Sequence, residues 1–313
     1  MPNANLSPPP AAEPATESVR PRTRAADETA ALKLALPKGR LADGVEALLA
    51  DAGVRLQRSE RGYRPRVSLE RVETKILKPQ NVVEMVSLGT RDVGFAGADW
   101  IAELDADVVE VLDTGLAPVR VVAAAPPGLV AGAAELGRPL VVASEYERLT
   151  RAWIERRGFE ARFVRSYGAT EVFPPEDADI IVDNTSTGST LRANGLEIVD
   201  ELLTSSTRLI ASVRAWNDPD RRRRIDDLAL LLRAVLDARQ RVMLEVNVAP
   251  DRLDAVVEAL PCMRQPTVSA LAASAGFAVK AAVPRAALAD LLPVLKERGG
   301  TDIVVTPVEW ILP

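Results

Sequence analysis

The chain has 313 residues, 47% hydrophobic and 27% charged, with a formal net charge of -5; this describes a soluble globular protein large enough for two or three cores, with no general footing for nucleic acid. Histidine is absent and cysteine occurs once, at Cys262, which excludes Ser-His triads, Cys-His dyads, Cys/His zinc sites and an internal disulfide framework. Any metal must then sit on oxygen ligands, favouring magnesium carried in by a substrate, and the lone thiol fits a reducing, cytoplasmic compartment.

Residues 1–30 are rich in Pro, Ala and charge and poor in large apolar side chains. Burial cannot offset their ordering entropy, so a disordered tail is expected there. No stretch approaches the ~20 apolar residues of a membrane span, and the N-terminus lacks the apolar core of a secretory signal. From Leu32 short apolar runs alternate with helical stretches. LKLAL (32–36) reads as a buried strand, PKGRL as a turn, and 41–52 as a helix stopped at Gly53. Strand-like ETKILK (73–78), a helix over 82–88, DVGFAG (92–97) and VVEVLDTG (108–115) follow.

A second series opens at Val119 with VRVVAAAP and continues through PLVVAS (139–144), a helix over 145–157 ending at Gly158, EARFVRS (160–166) and ADIIVD (178–183). This alternation argues for an α/β protein with parallel sheets covered by helices. Two such units joined by crossover strands leave a cleft at the strand ends. The expected division gives 31–118 and 197–216 to a first lobe and 119–196 to a second. A third part, 221–313, starts with a helix over 221–238 and runs in βαββαβ order from RVMLEVNV to TDIVVTPV. That order resembles the small ferredoxin-like modules that often bind regulatory amino acids. The Arg221–Arg224 run reads first as a solvated helix start and only second as a phosphate contact.

Four segments carry chemistry. After the apolar run Ile180–Val182 comes DNTSTGSTLRANGL (183–196), nearly all hydroxyl residues and glycine at its start. At the end of a buried strand such a turn points backbone N–H groups and hydroxyls at one anion: Thr187, Gly188, Ser189 and Thr190 would wrap a phosphate, and Asp183 would meet a sugar hydroxyl or a metal. The plainer alternative is an ordinary Ser/Thr-capped turn. Lys38 and Arg40 flank Gly39 on the turn after the first strand, which suits a polyphosphate. In RDVGFAGADWI (91–101), Gly94 and Gly97 would let a flat ring lie against backbone, and Asp99 is placed either to cap the next helix or to accept a hydrogen bond from a ligand. Gly168, Ala169, Thr170 and Glu171 lie upstream of the hydroxyl loop, Glu171 reading as a surface carboxylate or a ribose contact.

Taken together, LALPKGRL (34–41), KPQNVVEMVSLGTRDVGFAGADW (78–100), VRVVAAAP, SEYERLTRAWIERRG (144–158), GATEV (168–172) and DIIVDNTSTGSTLRANGL (179–196) resemble the ATP phosphoribosyltransferases that open histidine biosynthesis. LPCMRQPTVSAL (260–271) and the ending TDIVVTPVEWILP resemble the C-terminal regulatory domain of that family's long form. The resemblance implies a two-lobed periplasmic-binding-protein-like core, a ferredoxin-like regulatory domain, inhibition by histidine without a separate regulatory subunit, and a homo-oligomer of dimers up to a hexamer. It implies that adenine nitrogen 1 of ATP attacks the anomeric carbon of phosphoribosyl pyrophosphate, with loss of magnesium-bound pyrophosphate.

On this reading the phosphoribosyl group lies on Thr185, Ser186 and 187–190, with Asp183 on a ribose hydroxyl or magnesium. Lys38, Arg40 and Arg120 meet pyrophosphate or ATP phosphates. Leu36, Pro37, Gly39, Gly97 and Asp99 form the adenine side, and Glu171 with Gly168–Thr170 contacts either sugar. Lys38, Arg40 and Asp183 are the catalytic candidates, and Glu245, Thr267 and Ser269 are those for the inhibitor. One departure stands out: where many family members have Arg-Pro-Arg/Gln-Asp, this chain has Lys78, Pro79, Gln80 and Asn81, losing a carboxylate that could balance a cation, a change that bears on substrate affinity or on activity itself. The rival reading is a catalytically silent two-lobed ligand-binding or regulatory paralogue, which would have no use for a phosphate cradle.

Overall fold

The computed structural model describes residues 31–57, 62–132 and 136–312; the expected tail over 1–30 lies outside them. β1 (Leu32–Pro37) passes through a 3-10 turn into α1 (Ala42–Asp51). The short pair β2 (Leu56–Gln57) and β3 (Arg66–Val67) precedes β4 (Val72–Leu77), α2 (Pro79–Ser87), β5 (Val93–Gly97), α3 (Ala98–Glu103) and β6 (Val108–Asp113). Then come β7 (Val119–Ala125), β8 (Leu140–Ser144), α4 (Glu147–Arg157), β9 (Ala161–Arg165), β10 (Ile180–Thr185), α5 (Ser189–Ala193) and β11 (Glu197–Ser205). The chain continues with β12 (Thr207–Ser212), α6 (Val213–Asn217), α7 (Pro219–Arg239), β13 (Arg241–Val248), α8 (Leu253–Ala259), β14 (Thr267–Ala270), β15 (Phe277–Pro284), α9 (Leu288–Glu297) and β16 (Thr301–Pro307).

Two five-stranded sheets repeat one plan. The first has the order β4-β1-β5-β12-β6 and the second β9-β8-β10-β7-β11. In each, the first three strands of the lobe are parallel, and the strand arriving from the other lobe, β12 or β7, inserts antiparallel beside the third. The inner strands are continuous apolar runs because both faces are covered. Leu34 and Leu36 of β1 face one core and Ala35 the other; Val121 and Ala123 of β7 face one and Val122 and Ala124 the other.

The boundaries differ from expectation in two places. Residues 197–205 do not return to the first lobe: β11 pairs antiparallel with β7 from Glu197↔Ala125 to Ser205↔Val119, so the chain recrosses at Ser206. Ile198 and Val199 then Leu202 and Leu203 form apolar pairs along it, and Val199, Leu202 and Leu203 pack on the second lobe's core. Residues 219–239 do not belong to the third part. Asp218 caps α7 by accepting from Asp220 and Arg221 N–H, with Pro219 opening the helix. Ile225, Leu228, Leu232 and Val235 then lie at helical spacing in the same core as Leu32, Leu34 and Leu36. Each buried aliphatic side chain contributes roughly 1.5–3 kcal/mol, enough to fix the helix to the first lobe. The Arg221–Arg224 run is anchored too: Arg221 pairs at 2.5 Å with the fully buried Asp92, and Arg224 donates to the Glu70 and Arg71 carbonyls.

The third unit is the antiparallel sheet β14-β15-β13-β16 with α8 and α9, the ferredoxin-like βαββαβ arrangement. Alternation in β13 and β15 turns Val242, Leu244, Val246, Val279, Ala281 and Val283 toward Val256, Leu291 and Leu295 of the helices. Beyond β16 the chain runs back to α7, where Ile311 N–H donates to the Ala234 carbonyl.

Candidate functional site

β10 extends past the expected end of its apolar run. Asp183, Asn184 and Thr185 remain in the strand, opposite Val122, Val121 and Arg120 of β7. The loop proper is Ser186–Gly188, where Gly188 takes φ +73, a left-handed conformation suited to glycine. The hydroxyls organise the loop's own amides: Thr185 Oγ1 accepts from Gly188 N–H at 2.9 Å, and Thr187 Oγ1 accepts from Ser189 N–H at 3.3 Å while donating to Ser189 Oγ at 3.0 Å. Arg192 folds back, its Nη1 donating to the Thr187 carbonyl at 3.1 Å, which brings a cation over the turn. α5 spans five residues, so its dipole adds little, and the polar groups on the turn are its hydroxyls, amides and Arg192.

A cleft of about 240 Å³ brings Arg40 of the first lobe, Glu171 and the 183–190 segment together. Arg40 is held there by donating to the Ala117 carbonyl at 2.9 Å. Gly168 (φ +107) and Ala169 (φ +49) make the sharp turn before Glu171. Buried Thr170 anchors that turn through a 2.7 Å hydroxyl pair with Ser166. Asp183 is mostly buried, and this burial pushes its carboxyl up to about 6; Asn184 N–H opposes the rise, while Glu171 and Glu145 add to it by charge repulsion. Among the described residues no protein donor reaches Asp183 Oδ2, whereas Oδ1 accepts from Asn184 N at 2.7 Å and Nδ2 at 3.3 Å.

The first lobe's contribution departs from expectation. Lys38 is exposed at the end of β1 beside Gly39, which adopts φ +74. Leu36 and Pro37 are buried in the sheet and present no side chain to a ligand. Gly97 makes room for protein rather than a flat ring, since a Cβ there would lie 2.0 Å from Asp99 Oδ1. Gly94 likewise clears space for Val82 and Ala35. Asp99 is 2% exposed and neither caps α3 nor faces the cleft. Its Oδ1 accepts from Ser205 Oγ at 2.6 Å and its Oδ2 from the Tyr146 hydroxyl at 2.7 Å. Arg120, opposite Thr185 in register, pairs with Glu201 at 3.0 Å and does not line the cleft. Asn81 Nδ2 donates to Glu84 Oε2 at 2.9 Å on an exposed face of α2, so the missing carboxylate is not missing from the cleft around the loop.

Glu145, Tyr146 and Asn184 carry no signal of a site role in the sequence, and Arg192 enters there only as part of the loop motif, without a role of its own. Glu145 and Tyr146 follow β8, about forty positions before Asn184, and the parallel pairing of β8 with β10 makes them neighbours. In the third unit Glu245, Lys280 and Thr267 form one cross-strand row on the face away from the helices, with Glu245 and Lys280 paired at 2.6 Å. Ser269 lies opposite Ala278 in the next row of that orientation.

Comparison with known proteins bears on both parts of the chain. Residues 78–234 match the family model described as ATP phosphoribosyltransferase, and 238–310 match that of the HisG C-terminal domain. An ATP phosphoribosyltransferase of Pelodictyon phaeoclathratiforme is 39% identical over 87% of this chain and 94% of its own. That of Pelotomaculum thermopropionicum is 39% identical over 90% and 99%. Among solved structures, a chain of the ATP phosphoribosyl transferase (HisG:HisZ) complex from Thermotoga maritima superposes with a TM-score of 0.57 at 26% identity. It matches over 66% of this chain and 98% of its own, leaving a third of this chain without a counterpart there.

Proposed function

The chain belongs to the ATP phosphoribosyltransferase family, and from that premise we propose how its cleft divides the work. The enzyme is a long-form pentosyltransferase with its own C-terminal domain, acting at the first step of histidine biosynthesis. It joins adenine nitrogen 1 of ATP to the anomeric carbon of phosphoribosyl pyrophosphate, releasing pyrophosphate. Nothing in the comparisons favours a silent paralogue.

The observation that carries the site reading is the convergence of Arg40, Glu171 and the hydroxyl loop on one cleft. Thr185–Thr190 hold the 5-phosphate through hydroxyls and backbone amides, aided by Arg192. Asp183 and Glu171 face the ribose, where carboxylates accept from its hydroxyls and stabilise the positive charge that grows as the anomeric C–O bond stretches. Lys38 and Arg40, on a turn that Gly39 makes possible, meet the pyrophosphate and the ATP phosphates. The nucleophile is a neutral ring nitrogen, so no protein base is needed and a chain without histidine suffices. Catalysis is mainly the alignment of two bulky anions. Asp99 supports this arrangement from behind and does not touch substrate.

Magnesium carried in on the pyrophosphate would offset that leaving group's negative charge, with Asp183 its candidate ligand from the protein. Asp183 and Glu171, which line the cleft, offer the oxygen ligands that magnesium takes, and among the described residues no group of three or more carboxylates is placed to hold an ion without the substrate. Histidine binds the open face of the C-terminal sheet near Glu245, Thr267 and Ser269, and the protein is a cytoplasmic homo-oligomer, dimer to hexamer. Among the described residues no helix is long and apolar enough to cross a membrane.

The test is turnover of purified protein with ATP, phosphoribosyl pyrophosphate, magnesium and pyrophosphatase, followed by adduct absorbance. Product formation suppressed by histidine is expected. Absence of product from folded protein overturns the catalytic assignment, and product indifferent to histidine overturns the regulatory one.

A further inference from the structure

The two lobes are joined beside their second crossover by a hydrogen-bond relay that ends beside Asp183. Asn184 Nδ2 donates to the Tyr146 hydroxyl at 3.0 Å, and that hydroxyl donates to Asp99 Oδ2 at 2.7 Å. Asn184 and Tyr146 belong to the second lobe and Asp99 to the first. Ser205, just before the chain recrosses, supplies Asp99 Oδ1. Tyr146 is 1% exposed and its ring stacks at 4.7 Å on Trp100, also of the first lobe. α3 and α4 add to this seam: Glu103 accepts from the Arg148 and Leu149 N–H groups, and Arg148 donates to the Ala102 carbonyl.

The relay has only one direction. The Asp99 carboxylate can only accept, so the Tyr146 hydroxyl gives it its proton and must itself accept from Asn184. Burial beside Asp99 holds the phenol well above its ordinary range, so it remains a donor. Asn184 is therefore fixed with its NH₂ inward, and that NH₂ and its backbone N–H both aim at Asp183 Oδ1. One carboxylate oxygen is pinned and the other is left for a ligand.

We propose that Asn184 is a positioning residue for the phosphoribosyl substrate: through Tyr146 it ties the orientation of Asp183 to Asp99 of the opposite lobe, so Asp183 is aimed only while the lobes keep this contact. This rests on the assignment of Asp183 to the ribose. A carboxylate on a single rotatable arm loses substrate alignment when its orienting donor is removed, even though the strand beneath is unchanged.

The experiment uses the full chain with Asn184→Val, Tyr146→Phe and the double variant, measuring KM for each substrate, kcat and Tm. Each single variant should raise KM for phosphoribosyl pyrophosphate about tenfold, with KM for ATP within about twofold and Tm within a few degrees. Because both remove the same link, the double variant should resemble either single one. Unchanged KM in a folded Asn184→Val protein, or effects that multiply to about a hundredfold in the double variant, overturns the proposal. Should Tyr146→Phe not fold, Asn184→Val decides alone. Asp183→Asn run alongside separates the two ideas: if it binds magnesium phosphoribosyl pyrophosphate as well as wild type, the ribose assignment itself fails. If it weakens binding and Asn184→Val does not, only the positioning role falls.

Discussion

The third strands of the two sheets, β5 and β10, occupy equivalent places and each has an aspartate near its C-terminal end, Asp99 just past β5 and Asp183 within β10, yet the two carboxylates have opposite fates. After β5 the chain turns straight into α3, and Asp99 folds against Gly97, both oxygens satisfied by Ser205 and Tyr146. After β10 three residues intervene before α5, the space fills with hydroxyls, and Asp183 keeps one oxygen without a protein donor. One plan thus yields an acid with both oxygens satisfied by protein in one lobe and a cleft-lining acid, proposed to face the ribose, in the other. What separates them is the length of the strand-to-helix link and who supplies the donors.

The sharpest way to break this comparison is to remove each acid and measure stability, because the signs should oppose. Asp99→Ala leaves two buried hydroxyls, Tyr146 and Ser205, without their acceptor, at about 1–3 kcal/mol each. Chemical denaturation should show a loss of about 3 kcal/mol, with activity falling alongside. A loss below about 1 kcal/mol would mean the relay bears no stability.

Asp183→Asn should instead stabilise the unliganded protein at neutral pH. The folded carboxyl is raised from 3.8 to about 6. The fold therefore disfavours its ionised form: its contribution is whole below about pH 3.8, declines as pH rises through 6, and is lost above. Asparagine does not ionise, so the variant should exceed wild type by up to about 3 kcal/mol at pH 8, the gap closing toward pH 4. Denaturation midpoints across that range check it, and a gap that does not vary with pH would refute the assigned cause. Substrate affinity in wild type should fall as pH drops through about 6, when the carboxylate is protonated.

Thr190→Val sharpens the contrast from the loop side. Thr190 is exposed, so stability should hold, while one charge-assisted phosphate contact worth ~1.5–3 kcal/mol is lost. Affinity for phosphoribosyl pyrophosphate should then drop roughly ten- to a hundredfold. Calorimetric titration showing no change would sink the loop assignment.

Much of this was legible before the fold. Ile180–Val182 followed by hydroxyls and glycine specify a buried strand and a hydroxyl-rich turn by composition alone, and Leu32–Leu36 specify a buried strand by continuous apolarity. The lobe boundary was not, because β11 and β12 are consecutive apolar strands separated by Ser206 alone, with no compositional break to show that one pairs with β7 and the other with β5. α7 was misplaced because its arginine-rich start resembles a new domain, whereas Ile225, Leu228, Leu232 and Val235 carry its allegiance. The Asp99 relay was hidden because Tyr146, Asn184 and Ser205 reach it only through strand pairing and the second crossing.

Arg120 gives the smallest effect and the finest discrimination. The family resemblance implies a contact with pyrophosphate or ATP phosphates, but its guanidinium meets Glu201 at 3.0 Å, with both side chains about 40% exposed. An ion pair so open to water contributes about 0–1 kcal/mol, and its partner gives it no reason to leave for a ligand across the sheet. Arg120→Ala should therefore shift stability by less than about 1 kcal/mol and leave KM for ATP within about twofold. If KM for ATP instead rises tenfold while stability holds, the arginine breaks from Glu201 when substrate arrives. The second lobe would then supply a cation to both substrates, and the division of labour between the lobes would be less complete than the two aspartates suggest.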